Sequence, residues 1–296
     1  MRWSVIKPLL GIYGIDLQIS GIAFLGLVLS TILITAAGYV INDYHDVRAD
    51  HINKPKKVVI DIYVSRRLAL FLHWLLNFIG VLAGIVFSII YHVPWMILIF
   101  AGAPLLLWYY SVRLKHMLLA GNLAVSLLTA TVPLLVILFE YPLLARNYRF
   151  DPVFFPHGLV AILIWVGAFA FFAFMTNLIR EIIKDAQDIE GDRELDSHTL
   201  PISYGLKKTK GVIISLTVLT ILVLGFFFLS YLTDWISRAY YLLALLLPFA
   251  YLIFRTLKSA DARDYNFLSQ WIKLIMLLGL LYAPVVHWLI RNYLNR

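Results

Sequence analysis

The chain of 296 residues is 61% hydrophobic and only 14% charged, with a mean hydropathy of +0.84. Soluble domains carry roughly 25% charged residues. This composition therefore excludes a soluble domain and indicates an integral membrane protein. The formal net charge of +8 does not indicate nucleic-acid binding, because basic loops are expected beside a bilayer. The lack of cysteine excludes disulfides and thiolate chemistry.

Eight stretches are apolar and close to the length of about 20 residues that a membrane-spanning helix needs. They cover 20–41, 68–91, 93–110, 118–141, 158–179, 211–233, 239–257 and 267–290. No alternating strand pattern is present, so the predicted fold class is all-α, a multi-pass transmembrane bundle in a single domain over 1–296. Residues 8–19 are too short and too interrupted to span alone, and we expect an interfacial segment or a remnant of a further helix.

Basic residues are divided unequally between the two sets of loops. The set 42–67, 111–117, 180–210 and 258–266, with Arg255 at a helix end, carries 17 of the 25 Lys and Arg, and the other set carries seven. The positive-inside rule places the first set in the cytoplasm. We therefore expect an integral protein of the cell membrane, bacterial by our reading, whose acidic stretches face the cytoplasm.

The first acidic stretch, "NDYHDVRAD", directly follows the first span. Asn42, Asp46 and Asp50 are spaced i, i+4, i+8 and share one face if the helix continues past the apolar run. Asp43 lies on the adjacent edge. Like charges at this spacing repel, so something positive should offset them.

The second acidic stretch, "REIIKDAQDIEGDRELD", follows the fifth span. Asp185, Asp188 and Asp192 are spaced i, i+3, i+7 and again share a face, and Gly191 is expected to loosen the helix before Asp196. Hard oxygen ligands clustered in this way suit Mg²⁺, which is usually held by a few carboxylates and substrate phosphates.

Cations surround both stretches. Lys54, Lys56, Lys57, Arg66 and Arg67 follow the first, Arg180 and Lys184 accompany the second, and Lys115 lies in the short loop between them in sequence. Carboxylates, metal and cations together favour a polyanion such as a diphosphate. Apolar spans beside such a site favour a hydrocarbon tail, so the predicted ligand is a prenyl diphosphate. The alternative is that these are ordinary solvated loops at the membrane edge.

At these residues the chain resembles the UbiA superfamily of intramembrane prenyltransferases, which carries the paired motifs NDxxDxxxD and DxxDxxxD. The segments "AAGYVIND", "INKP" and "YYSVRLKHMLLAGN" also resemble the family pattern. The resemblance implies a helical bundle around a central cavity, Mg²⁺ as cofactor and a polyprenyl diphosphate donor. It also implies ionisation of the allylic diphosphate and capture of the carbocation by an acceptor.

The resemblance implies roles for individual residues. Asp46, Asp50, Asp188 and Asp192 are the predicted catalytic residues, and together with Asn42 and Asp185 they form the predicted metal set. Asp43 is expected to orient neighbours or to pair with a lysine. The predicted substrate-binding residues are Asn42, Arg67, Tyr110, Ser111, Lys115, Asn122, Arg180 and Lys184. His73, Asn77 and Lys273 also lie in spans and are given no role.

The chain departs from the family pattern in two places. Family members usually have nine helices, whereas eight spans are found here, and the first would be missing ahead of the first motif or degraded within 1–19. The loop after the first motif often reads "NRPxRP", whereas this chain has Lys57-Val58 at the second Arg-Pro, which keeps positive charge but not the loop shape.

The acceptor is predicted from Arg180. Family members with aromatic acceptors often have Tyr at this position, and an extra cation suits an acceptor that carries its own phosphate. This resembles the branch that prenylates geranylgeranylglyceryl phosphate. The alternatives are an aromatic quinone precursor, namely 4-hydroxybenzoate or dihydroxynaphthoate, or haem. A different class, a transporter that binds divalent cations, would place its acids near the bilayer midplane rather than at span ends.

Overall fold

The computed structural model describes residues 1–149, 151, 154–232 and 234–294, and in this part of the chain the regular structure is helical. A single isolated bridge, between Ile60 and Val64, lies in the loop after the first motif. The predicted all-α class is therefore confirmed over the described residues.

All eight predicted spans correspond to helices. Seven helical segments are long and apolar enough to cross a membrane, and the eighth, Met96–Val112, is a shorter apolar helix of 17 residues. The predicted end of the sixth span, at 233, lies outside the described residues. The helices are α1 (Lys7–Gly11), α2 (Gly21–Asn53), α3 (Arg66–Ile90), α4 (Met96–Val112), α5 (Ala120–Tyr148), α6 (Leu159–Gln187), α7 (Ile189–Glu194), α8 (Leu200–Tyr231), α9 (Trp235–Tyr240), α10 (Leu247–Lys258) and α11 (Ala262–Leu294).

Irregular turns join or extend several of these helices. A π-helical turn, Tyr241–Leu246, links α9 and α10 into one span, and another, Arg2–Ile6, leads into α1. Helix starts follow ordinary capping chemistry, since Ser20 caps α2 by accepting a hydrogen bond from Ala23 N at 3.2 Å. Ser65 caps α3 in the same way.

The continuation of α2 beyond its apolar run places the first motif on a helix. The helix ends at Asn53, so Asn42, Asp46 and Asp50 all lie on it, as the spacing predicts. Close packing against α3 holds this helix. Ser30 donates its hydroxyl to Gly80 O at 2.6 Å, and a Cβ at Gly80 would meet Ser30 O at 3.0 Å. Small residues of this kind let membrane helices approach each other.

The N-terminal segment contains the short helix α1, which is not long enough to span, and it packs into the core of the bundle. Val5, Ile6 and Leu10 are fully buried and belong to the largest apolar core, together with residues of α5, α6 and α11. Arg2 forms a buried ion pair with Glu140 of α5, whose Nε–Oε1 distance is 3.5 Å. Since α5 begins beside the second motif, Glu140 lies at the opposite end of the bundle from the acidic stretches.

Candidate active site

The two acidic motifs meet through a clamp made by Asn53. Its Nδ2 donates to Asp188 O at 3.1 Å, and its Oδ1 accepts from Gly191 N at 2.9 Å. The side chain at the end of α2 thus fixes the backbone of the turn between α6 and α7. A residue bearing a Cβ at Gly191 would place that atom 2.8 Å from Ala49 O, so this approach of the helices needs glycine.

The helix of the second motif breaks earlier than predicted. It ends at Gln187, Asp188 has a non-helical backbone with φ −99° and ψ 18°, and α7 begins at Ile189. The expectation that Gly191 loosens the helix was therefore wrong. Gly191 lies inside α7, and its physical role is the close contact with α2. Asp196 follows α7 in a loop and has φ +50°.

Both motifs line one cavity of about 270 Å³ at the end of the bundle, named here the acidic lobe. The predicted residues that line it are Asn42, Asp43, Asp46, Asp50, Tyr110, Lys115, Lys184, Asp185, Asp188 and Asp192. Lys54, His116 and Glu181 also line it, and Val58, Val59 and Ile60 of the loop after α2 form part of its wall. The carboxylates of both motifs therefore line one space.

Cations link the motifs across this lobe. Lys115 pairs with Asp46, and Lys54 of the first motif region pairs with Asp188 of the second at 2.5 Å. Asn42 donates its amide to the other oxygen of Asp46 at 2.8 Å. These bonds offset the repulsion between acids that share a helix face.

The oxygen donors of the lobe fit Mg²⁺, although no three acidic or histidine side chains among the described residues are gathered at metal-binding distances. Asn42 Oδ1 and Asp188 Oδ1 are buried oxygens without a hydrogen-bond partner. A buried acceptor left unpaired is costly, and a hard cation with several waters would satisfy both atoms. Residues that would hold such a cation are Asn42, Asp46, Asp50, Asp188 and Asp192.

Two titratable groups outside the spanning helices report the electrostatics of the lobe. Burial, reinforced by the nearby carboxylates of Asp188 and Asp46, raises the pKa of Asp192 to about 7. Burial and the neighbouring Lys115 lower the pKa of His116, whose Nδ1 lies 2.7 Å from Ser197 Oγ. Asp192 is therefore partly protonated near neutral pH, and a cation bound beside it would favour its ionised form.

The acidic lobe opens into an apolar chamber. A middle lobe of about 520 Å³ shares Asn42, Tyr110, Glu181 and Lys184 with it. A deep lobe of about 540 Å³ continues from the middle lobe, because both are lined by the same side chains Thr31, Phe100, Thr129, Val132, Leu135 and Met276. A polar site for a charged head group is thus continuous with space for a hydrocarbon tail.

Comparison with known proteins identifies the family. The sequence pattern of the UbiA prenyltransferase family matches residues 12–284. The chain belongs to this family. It is 34% identical over 184 residues to a digeranylgeranylglyceryl phosphate synthase of Pyrococcus horikoshii. The matched region covers 61% of this chain and 56% of that relative, so the chain matches little more than half of the relative's length. It is 27% identical to the synthase of Methanosphaera stadtmanae, over 85% of this chain and 83% of the relative.

Solved structures show the same fold. A structure of digeranylgeranylglyceryl phosphate synthase has a TM-score of 0.61 at 23% identity, over 96% of this chain and 90% of that one. A UbiA homologue from Archaeoglobus fulgidus, bound to DMAPP and Mg²⁺, has a TM-score of 0.53 at 15% identity, over 94% of this chain and 95% of that one. The UbiA fold and an integral, multi-pass membrane protein are thereby established.

Not every predicted substrate-binding residue of this UbiA member lines the chamber. Asn122 is buried and donates to Asp185 Oδ2 at 2.7 Å, so it positions a carboxylate. Ser111 is buried and donates to Leu107 O of its own helix. Arg67 is exposed on the first turn of α3 and does not line the acidic or the middle lobe. The geometry therefore does not favour direct substrate contact by Ser111 or Arg67.

The sequence assigned no role to Asn53, His116, Glu181 or Lys273, and it indicated Lys54 only as one of the cations that follow the first motif. Glu181 lines both the acidic and the middle lobes, and its position four residues before Asp185 is a helical spacing that could have revealed it. Asn53 and Lys54 act through contacts with the distant second motif. Lys273 lines the middle lobe from α11. The one signal in the sequence that could have indicated this role is a charged residue within a predicted span.

Proposed function

We propose that this chain transfers a geranylgeranyl group from geranylgeranyl diphosphate to geranylgeranylglyceryl phosphate, and that the transfer depends on Mg²⁺. The observation that carries the proposal is the acidic lobe, where two carboxylate motifs are joined by lysines and open into an apolar chamber. Archaeal relatives named digeranylgeranylglyceryl phosphate synthases and neighbours solved with prenyl diphosphates and Mg²⁺ support it.

The diphosphate of the donor occupies the acidic lobe in this proposal. When bound there, Mg²⁺ supplies charge that neutralises the leaving diphosphate. Lys54 and Lys115 exchange their carboxylate partners for phosphate oxygens, and Lys184 contributes further positive charge. The tail lies in the apolar chamber, where water is excluded.

The reaction then involves one bond broken and one bond formed. The allylic C–O bond breaks and its electron pair leaves with the diphosphate. The carbocation is captured by the free hydroxyl oxygen of the acceptor, which forms the new ether C–O bond, and the hydroxyl proton passes to the released diphosphate. The pre-positioned charges of the lobe favour the separated diphosphate and so lower the barrier to ionisation.

Two cations of the middle lobe support a phosphorylated acceptor. Arg180 lies about 10 Å inward from the end of α6, and Lys273 about 16 Å inward from the start of α11, at 1.5 Å per residue. Charged groups at this depth are costly and mark functional sites. Arg180 pairs with Glu181, and in the proposal it turns to the acceptor phosphate. Aromatic acids and haem remain the alternatives within the family.

The acidic lobe is proposed to face the cytoplasm, because the more basic loops lie at its end of the bundle. The relatives named above are archaeal, and the expected bacterial membrane stays a prediction. Acids at helix ends rather than at the bilayer midplane favour the enzyme over the transporter.

The deciding experiment incubates purified protein with labelled geranylgeranyl diphosphate and a panel of acceptors, with Mg²⁺ or with EDTA. The expected result is an ether product with geranylgeranylglyceryl phosphate, none with 4-hydroxybenzoate or dihydroxynaphthoate, and none in EDTA. Product only with an aromatic acid would refute the acceptor. No diphosphate release from any prenyl donor would refute prenyl transfer and favour the transporter.

A further inference from the structure

The deep lobe ends on the N-terminal segment, a feature that the proposed reaction does not use. Arg2 and Trp3 line the deep lobe together with Phe24 at the start of α2 and Phe139 of α5. These residues lie at the end of the bundle opposite to the acidic lobe. The end wall of the chamber is therefore built from a segment that does not cross the membrane.

The wall is held by a network of charge and ring contacts. The Trp3 and Phe24 rings meet edge to face with centroids 5.2 Å apart, and the Arg2 guanidinium lies 4.7 Å from the centroid of Phe24. Arg2 also bonds Ile19 O and pairs with Glu140. Trp3 stays 48% exposed, whereas Arg2 is 3% exposed. A buried arginine thus anchors two aromatic rings that border open space.

Glu140 ties the same wall to the bundle. It accepts a hydrogen bond from Gln18 N at 2.8 Å in addition to its pair with Arg2. A buried pair in this setting holds its partners in one geometry, because separating them would leave uncompensated charges in an apolar region. The position of the wall is therefore fixed by its contacts with α5.

The length of the chamber follows from α2, whose residues Phe24 and Asn42 line its two ends. These residues are 18 positions apart on the helix, so they are separated by about 27 Å along its axis. The aromatic rings at one end and the diphosphate at the other occupy several ångströms of this length. The main chain of a geranylgeranyl tail has about 16 carbons. Each bond of about 1.5 Å advances an extended chain by about 1.25 Å, so the tail spans roughly 19 Å.

We propose that Trp3 and Phe24, anchored by the Arg2–Glu140 pair, form the wall that limits the donor tail to four isoprene units. This rests on the proposed function, since the donor diphosphate must occupy the acidic lobe. A fifth or sixth unit would meet the aromatic rings. Removing either ring would lengthen the deep lobe. A larger side chain placed between the rings and the acidic lobe would shorten the space for the tail.

The test measures kcat/KM for prenyl diphosphates of two to six isoprene units with the wild type and four variants. Trp3→Ala and Phe24→Ala should raise the ratio of five-unit to four-unit donor by about tenfold, since even one methylene in an apolar pocket changes discrimination by that order. Ala173→Phe narrows the deep lobe, which Ala173 lines. It should lose the four-unit donor and keep the two-unit donor.

The control is Trp74→Ala, which removes an exposed tryptophan of α3 that lines none of the three lobes. It should keep the wild-type ratio. Melting curves in detergent identify any unfolded variant. Phe24→Ala tests the wall even if Trp3→Ala does not fold, and Ala173→Phe tests whether the tail occupies the deep lobe. Wild-type ratios in folded Trp3→Ala and Phe24→Ala would overturn the wall while transfer itself persists. Failure of the wild type with every donor would instead overturn the proposed function and the wall together.

Discussion

Gly191→Ala should separate the two acidic motifs without removing any carboxylate. The added Cβ would lie 2.3 Å from Asn53 Nδ2 and 2.8 Å from Ala49 O. Rotation of Asn53 relieves the first contact only by breaking its clamp on Asp188, and the second contact is with backbone. The turn between α6 and α7 must therefore move away from α2.

The size of the effect follows from these contacts. Overpacking of this kind costs about 1–3 kcal/mol. If the geometry of the acidic lobe is needed in the transition state, a loss of this size lowers kcat/KM by roughly 5- to 150-fold. The Mg²⁺ concentration for half-maximal activity should also rise, because ligands from α2 and α7 no longer meet at the same spacing.

A matched control separates this effect from helix propensity. A Cβ added at Gly211 in α8 would meet no neighbouring element within 4 Å among the described residues, and Gly→Ala inside a helix stabilises by about 0.5–1 kcal/mol. Gly211→Ala should keep wild-type activity and an equal or higher melting temperature. The assay is steady-state transfer with varied Mg²⁺, alongside melting curves. Wild-type activity and Mg²⁺ dependence in Gly191→Ala would refute the requirement for this close approach.

Further predictions concern single residues of the lobe. Asp46→Ala and Asp188→Ala should abolish turnover with little change in helical circular dichroism, and retained activity in either would remove that residue from the proposed metal site. Asn122→Ala leaves the Asp185 carboxylate without its amide donor, so kcat/KM should fall about tenfold or more; unchanged kinetics would show that Asp185 needs no positioning. Because the pKa of Asp192 is about 7, Mg²⁺ binding below pH 7 must displace a proton, so affinity measured by calorimetry should fall about tenfold per pH unit below 7 and level off above it. Asp192→Asn should flatten that profile, and an equally steep profile in the variant would assign the proton to another group.

The local parts of this fold could be predicted from the sequence because their causes are local. Hydropathy over about 20 residues located the seven long apolar segments and the shorter helix Met96–Val112. The helical period placed Asn42, Asp46 and Asp50 on one face of α2. The convergence of both motifs at one end followed from counting spans. It required no side-chain contact, since each span reverses the direction of the chain.

Contacts between residues distant in sequence could not be predicted in this way. Hydropathy and period contain no information about which side chains meet across the bundle, so the pairs of Lys115 with Asp46 and of Asn122 with Asp185 emerged only from packing. The same reason explains the error at Gly191. A glycine in a helical stretch was interpreted as a breaker, whereas the tertiary approach of α2 determined its role.

The sequence by itself determined the membrane class, the spans and the position of both carboxylate motifs at one end of the bundle, because these depend only on local hydropathy and on the number of spans that reverse the chain. Only the tertiary structure decided that Asn53 clamps the second motif and that Arg2 anchors the far wall. These contacts join residues more than a hundred positions apart, and their partners are selected by the packing of whole helices.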